Sequence, residues 1–172
     1  MARTVTNDNI INGSDLMLFI DGKSVGFATN HTLNISAEFL ENASKDHNYG
    51  KWKGRILKSV DWTGSTENLF ANEAEGYTYD YLREKLVSGT PIEVVLSVNK
   101  KDANVIADAS GLVVPEEGWE PDDTTGNIYY KGMAVVQSAN VTAQNGEIAT
   151  FTVEFAATGP FEKFTVPAPP NP

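Results

Sequence analysis

The chain predicts a mainly β, antiparallel fold, a β-sandwich or partly closed β-barrel flanked by one short α-helix. Three observations carry this reading. Apolar and polar residues alternate through 32–40, 56–62, 91–98 and 132–160, which is the period of half-buried strands. Gly-containing turn pairs, Asp21-Gly22 and Asn145-Gly146, stand where such strands must reverse. Only 78–88 has helical spacing.

Residues 1–13 are polar and aperiodic and read as an arm without a core of its own. In the hairpin 15–29 a two-residue turn at Asp21-Gly22 pairs Leu18 with Val25 and Leu16 with Phe27. Met17 and Phe19 make the other face of the first strand apolar too, so that face is either covered within the subunit or part of a subunit interface. The strand 32–40 carries Leu33, Ile35, Ala37 and Phe39. Residues 41–55 lack periodicity and form a long hairpin loop, after which Ile56, Val60 and Trp62 resume the alternation.

Within 78–88, Thr78 stands at the N-cap, Tyr79, Leu82 and Leu86 share a face, and Gly89 with Pro91 closes the helix. So short a helix must lay its apolar face on a sheet. Strand 91–98 directs Ile92, Val94, Leu96 and Val98 inward, and the acidic, turn-rich stretch 99–127 reads as an insertion on the outside of the domain. In 132–160 the odd positions Val135, Ala139, Val141, Ala149, Phe151, Val153 and Phe155 are apolar. A two-residue turn at Asn145-Gly146 would set Val141 opposite Thr150 and split that face between core and solvent. A three-residue loop, Gln144 to Gly146 with Gly146 left-handed, instead pairs Val141 with Ala149 and Ala139 with Phe151.

With 172 residues and 41% hydrophobic content, one core can be buried without disulfides or metals. There is no cysteine, which removes disulfides, thiol nucleophiles and thiolate metal sites together. No apolar run reaches signal-peptide or membrane-span length, so the chain reads as made in the cytoplasm and not held in a membrane. The formal net charge of -10, from 23 acidic and 13 basic side chains, denies most of the surface the counterion release that drives nucleic-acid binding.

Chemistry is sparse. Glu116, Glu117, Glu120, Asp122 and Asp123 lack the spacing of a calcium loop and read as a solvated acidic segment. His31 and His47 sit in neither a zinc-protease nor a triad context, and phosphate-loop, dinucleotide and Gly-x-Ser-x-Gly motifs are absent. No catalytic, metal or cofactor residue is assigned. Trp62 fits an inward strand position, whereas Trp52, between two lysines, reads as an interface anchor. Lys45, Lys51, Lys53 and Arg55, with Lys58 beyond, form the densest basic patch, either solvated or complementary to an acidic surface on another copy.

The closing hairpin ending in Thr158-Gly159-Pro160-Phe161, the early LMLFIDGKSVGFATNHTLNISAEF, STENLF at 65–70, the short helix and the TPIEVVLSV strand occur in an order that resembles the major tail tube proteins of long-tailed bacteriophages. The resemblance covers roughly 14–98 and 128–161. It divides the chain into an N-terminal arm 1–13, a tail-tube β domain 14–161 with loop 41–55 and insertion 99–127, and a C-terminal tail 162–172. It implies a structural subunit and not an enzyme, with six copies joined edge to edge into a ring. Rings would stack around a tape-measure protein into a tube that meets terminator or baseplate proteins and conducts DNA during ejection. The expected location is the virion tail, after synthesis in the bacterial host cytoplasm.

On that resemblance, Lys45, Lys51, Trp52, Lys53 and Arg55 are expected to contact the next ring. Glu38, Asp61 and Glu154 are expected to line a lumen that repels phosphate and lets DNA slide without specific binding. Two alternatives stand beside it. The inner tube of a contractile tail or phage-derived injection system resembles the same fold. A carbohydrate-binding or adhesin β-sandwich would instead require export and a planar aromatic platform.

Overall fold

The computed structural model describes residues 11, 13–42, 52–70, 78–100 and 118–168. They form β1 (Leu16–Ile20), β2 (Lys23–Ser24), β3 (Ala28–Asn42), β4 (Gly54–Leu69), α1 (Tyr79–Ser88), β5 (Ile92–Val98), β6 (Ile128–Thr142) and β7 (Thr150–Thr165). The strands make one open antiparallel sheet in the order β2-β1-β5-β6-β7-β4-β3, and α1 packs against β6. The mainly β, antiparallel class with a single flanking helix is therefore the fold observed.

Asp21 and Gly22 both take positive φ, 49° and 88°, as a two-residue turn matched to strand twist requires. The turn sets Ile20 opposite Lys23 and Phe19 opposite Ser24, the expected register. That pairing stops at Ser24, so neither expected pair, Leu18–Val25 nor Leu16–Phe27, forms in the ladder. Phe27 turns away with φ 54° and gives its carbonyl to the Leu69 N–H, while Leu16 pairs with Val98 on the other side of β1. The Asp21 carboxylate accepts the Glu93 N–H at 2.9 Å and the Tyr81 hydroxyl at 2.6 Å, tying the turn to β5 and α1.

One face of the sheet carries a continuous core from Leu18 and Ile20 through Ile92, Val94, Ala134 and Val136 to Phe151, Val153, Phe155 and Trp62. Leu82 of α1 is fully buried in it, with Tyr79 and Leu86 packed alongside, and Gly89 ends the helix in the left-handed conformation. Each large side chain so buried contributes about 1.5–3 kcal/mol. Trp62 is core as expected: its indole N–H donates to the Gly159 carbonyl at 2.8 Å and its ring meets Phe161 at 4.8 Å.

Among the described residues the opposite face buries an apolar cluster at the β1–β5 end, where Phe19 and Val95 lie under Trp119. Trp119 is held there by a reciprocal pair of hydrogen bonds, Ser24 N–H to its carbonyl and its own N–H to the Ser24 hydroxyl, both 2.8 Å. The segment 118–127 thus covers the second face of β1. The open question about Met17 and Phe19 resolves in favour of cover within the subunit, supplied by the stretch the sequence places outside the domain.

Several register expectations need correction. The β6–β7 connection is the seven-residue span 143–149, not three residues, so Val141 pairs with Phe151 and Ala139 with Val153. Parity survives, and Gly146 has the expected positive φ of 87°. An extra residue, Gln137, bulges out of β6 between Val136 and Ser138. The bulge reverses the facing of β6: Ala134 and Val136 are buried upstream of it, and Val135 points to the other side, away from the core. A second bulge at Lys58 separates the Phe39–Leu57 and Glu38–Ser59 pairs, so Ile56 does not share the face of Val60 and Trp62. Finally, β7 runs on past 161 to Thr165, opposite Ile128, taking residues that the sequence assigns to the C-terminal tail.

Candidate functional site

Where segment 118–127 does not cover it, the second face is mostly polar along β6, β7, β4 and β3 as far as Glu38, and the register shows how the residues line up. Thr32, Ser65, Glu154 and Ser138 form one row across β3, β4, β7 and β6, and Asn30, Glu67, Thr152 and Asn140 form the next. Ser36 faces Asp61, and Glu38 faces Ser59. Opposed residues of antiparallel strands project to one side. Glu38, Asp61 and Glu154, singled out from sequence, therefore share a single face, and Glu67 joins them. A shallow depression of about 250 Å3 is sunk into this face across all four strands, lined by Thr32, Asn34, Thr63, Ser65, Gln137 and Glu154 among others.

The carboxylates differ in their partners. Glu38 takes the Lys58 ammonium at 2.7 Å, Asp61 accepts the Trp62 N–H at 2.8 Å, and Glu154 accepts the Ser138 hydroxyl at 2.9 Å.

Beyond Trp62 the β3–β4 hairpin extends past the core. On the core-side face of this arm Ile35, Phe39, Leu57 and Val60 are all more than half exposed, and Leu40 and Ile56 are exposed on the reverse. A contiguous exposed apolar strip on a charged protein is the kind of surface that contacts between proteins cover.

The basic loop is only partly visible. Lys45 and Lys51 lie outside the described residues. Trp52 is 84% exposed. Lys53 reaches Glu41 at 2.6 Å, and that hydrogen bond, with the lysine's charge, holds the Glu41 carboxyl below its ordinary range. Arg55 lies within β4, opposite Glu41. Two lysines of the basic stretch, Lys53 and Lys58, are thus matched by glutamates of the same hairpin.

Of the three tryptophans only Trp52 is exposed, so Trp62 and Trp119 contribute nothing to an aromatic platform. In the acidic segment, Glu120 and Asp123 are held below the usual carboxylate range by hydrogen bonds from Lys23 and Lys100, and Asp122 accepts from the backbone and hydroxyl of Thr124. Glu116, Glu117 and His47 lie outside the described residues. Among the described residues no three His, Asp or Glu side chains converge as a metal site would require, and no helix is long and apolar enough to cross a membrane.

His31 lies on the core side of β3, in a row with Thr66, Val153 and Ala139. Its Nδ1 is buried without a hydrogen-bond partner, and burial pushes its pKa below 6.5. A base depressed in the fold stabilises it fully above the unfolded-state pKa and loses that contribution as pH falls through both values. Urea midpoints are therefore expected to drop between pH 7.5 and pH 5 by more in the native protein than in His31→Gln. Equal drops in both would show that His31 does not govern the acid side.

The fold is similar to those of several solved assemblies. A chain of the tail of the empty gene transfer agent particle, refined with C6 symmetry, superposes with a TM-score of 0.62 at 15% identity, over 89% of this chain and 98% of that one. The SPP1 tail tube gives 0.62 at 10% identity, over 92% and 81%. The sheath-tube complex of an extracellular contractile injection system gives 0.57 at 9% identity, over 95% and 100%. At these identities the likeness concerns the fold. No curated protein sequence matches closely enough to count as a relative. The family described as "Phage tail tube protein" matches residues 11–163, which takes in the helix and every described strand but for the last two residues of β7, and the chain belongs to that family.

Proposed function

We propose that six copies of this tail tube protein close into a ring whose inner wall is the polar face of β6, β7, β4 and β3. Rings then stack into the tube of the virion tail. The observation that carries this reading is the division of the second face, which buries apolar side chains under Trp119 and presents the polar rows of Thr32, Ser65, Glu154 and Ser138 and of Asn30, Glu67, Thr152 and Asn140 on β3, β4, β7 and β6. Two strand edges support it. Among the described residues the long β3 pairs only with β4, and on its β5 side β6 has no strand neighbour along Val135–Thr142, because β5 pairs only with Tyr130–Ala134. Docking β3 of one copy on that stretch of β6 in the next keeps the antiparallel alternation and closes both of these edges.

Four strands from each of six copies, the symmetry of the gene transfer agent tail, make a barrel of roughly 24 strands. At ~4.8 Å spacing and ~40° tilt this is on the order of 50 Å across between backbones, room for a duplex with its water. Six copies at -10 each bring -60 to a ring, and Asp61, Glu67 and Glu154 are the side chains proposed to carry part of it to the lumen. Such a wall repels phosphate and lets DNA pass without gripping it. The role is mechanical and involves no catalytic step. The remaining partners are a tape-measure protein in the lumen and terminator or baseplate proteins at the ends. The β domain is taken as residues 14–165, with 1–13 as an arm.

Electron microscopy of the purified protein at rising concentration, with an assembly seed, tests this: six-fold rings and tubes are expected, and lasting monomers beside an active seed would refute it. The stacking loop gives a second test. Replacing Lys45, Lys51, Lys53 and Arg55 together by Glu is expected to stop tube growth while the circular dichroism spectrum is retained, because exposed charges contribute only ~0–1 kcal/mol each to folding. Normal tube yield by sedimentation would mean that rings are held together elsewhere.

A further inference from the structure

Glu38 and Glu154 share a setting that their place on the polar face does not require. Each stands opposite a bulge in the neighbouring strand, Glu38 opposite Lys58-Ser59 and Glu154 opposite Gln137-Ser138. In both, the serine in the second bulge position directs its hydroxyl at the carboxylate, Ser138 Oγ to Glu154 Oε2 at 2.9 Å and Ser59 Oγ to Glu38 Oε2 at 3.4 Å. Glu38 also holds the extra residue itself, through Lys58 Nζ at 2.7 Å. A bulge bends its strand and increases the local twist, and sheets are curved by placing bulges at defined positions. The depression in the polar face lies at the Gln137 bulge, with Gln137 and Glu154 in its lining.

We infer that Glu38 and Glu154 are positioning residues for ring closure: their carboxylates clamp the two bulges that set the curvature of the four-strand wall, and so set how many copies complete a ring. This rests on the ring-forming reading above and differs from a purely electrostatic part for the two glutamates. A charge in the lumen acts on what passes through, whereas a clamp acts on the diameter of the tube. Barrel diameter grows about linearly with strand number, so gaining or losing one subunit in six changes it by about one sixth, which class averages of end-on rings resolve.

The test compares Glu154→Gln, Glu154→Ala, Ser138→Ala and deletion of Gln137, reading ring symmetry and tube diameter by electron microscopy and subunit stability by urea denaturation. Glutamine keeps an acceptor for the Ser138 hydroxyl while removing the charge, so Glu154→Gln is expected to build tubes of native diameter and symmetry. Glu154→Ala and Ser138→Ala, one without the acceptor and one without the donor, are expected to give mixed diameters at nearly native urea midpoints. Deleting Gln137 removes the bulge and is expected to have the largest effect. Should that deletion unfold the subunit, Ser138→Ala, which removes one hydroxyl, carries the comparison. Native diameter and symmetry in both alanine variants would overturn the inference, as would an altered diameter in Glu154→Gln equal to that in Glu154→Ala. Native protein that forms no rings beside an active seed would instead overturn the ring reading, and this inference with it.

Discussion

Val60→Asp is expected to yield a folded subunit that no longer forms rings. Val60 is 60% exposed and lies beside Ala37 on the core-side face of the β3–β4 arm, continuous with Ile35, Phe39 and Leu57. In the free subunit an aspartate there meets water, and the folding free energy should change by no more than about 0.5 kcal/mol. In the ring the same position is covered by a neighbour, and burying a carboxylate without a partner costs several kcal/mol at each contact, on top of about 1.5–3 kcal/mol lost with the apolar side chain. The penalty recurs at every subunit interface. Sedimentation velocity with matched urea denaturation reads both effects. Native tubes from a Val60→Asp, Ile35→Asp double variant would show that the strip is not an interface.

Gly132→Val is expected to give the largest loss of stability of any single substitution considered. A Cβ on Gly132 would lie 2.8 Å from the Pro160 carbonyl oxygen, 2.8 Å from Trp62 Cζ2 and 2.9 Å from Phe161 Cδ2. Backbone oxygen cannot swing aside as the end of a long side chain can. The Trp62 ring is equally fixed, because its N–H is committed to Gly159. Overpacking of this kind costs about 1–3 kcal/mol for alanine, and the branched valine adds to it, against a total stability of order 5–15 kcal/mol for such a domain. Urea midpoints should fall in the order native, Gly132→Ala, Gly132→Val. A native midpoint for the alanine variant would mean that the Thr158–Pro160 segment shifts freely.

Local chemistry was readable from sequence, whereas pairing between distant strands was not. The Asp21-Gly22 turn, the helix with its Gly89 stop, and Trp62 as a core residue each depend on neighbours within a few positions or on simple alternation. The bulges at Lys58 and Gln137 do not announce themselves, because an extra polar residue in an alternating strand looks like a pause in the pattern. For that reason simple alternation puts Val135 and Ile56 on the wrong face. Glu67 went unnoticed beside Glu38, Asp61 and Glu154, although Asp61, Thr63, Ser65 and Glu67 alternate in the sequence; only the β4–β7 register shows that they continue the same face. Cover for Phe19 came from residues a hundred positions away, which no local pattern encodes. Of the basic loop residues, Trp52, Lys53 and Arg55 lie among the described residues, and the Lys53–Glu41 pair is a cross-strand contact that appears once β3 and β4 are aligned.

The strand order has a consequence in time. Of the described strands β6 and β7 are synthesised after the others, yet they lie in the middle of the sheet, between β5 on one side and β4 on the other. Until they emerge from the ribosome, the β1–β2–β5 group and the β3–β4 hairpin have no strand in common. The indole of Trp62 meanwhile waits for a carbonyl 97 residues ahead of it. Contacts of such long sequence separation make folding slow and leave little for a partial chain to build on. A prematurely terminated subunit therefore lacks the joined wall that a growing tube end must match, so the order of synthesis itself screens out incomplete copies before they can be incorporated.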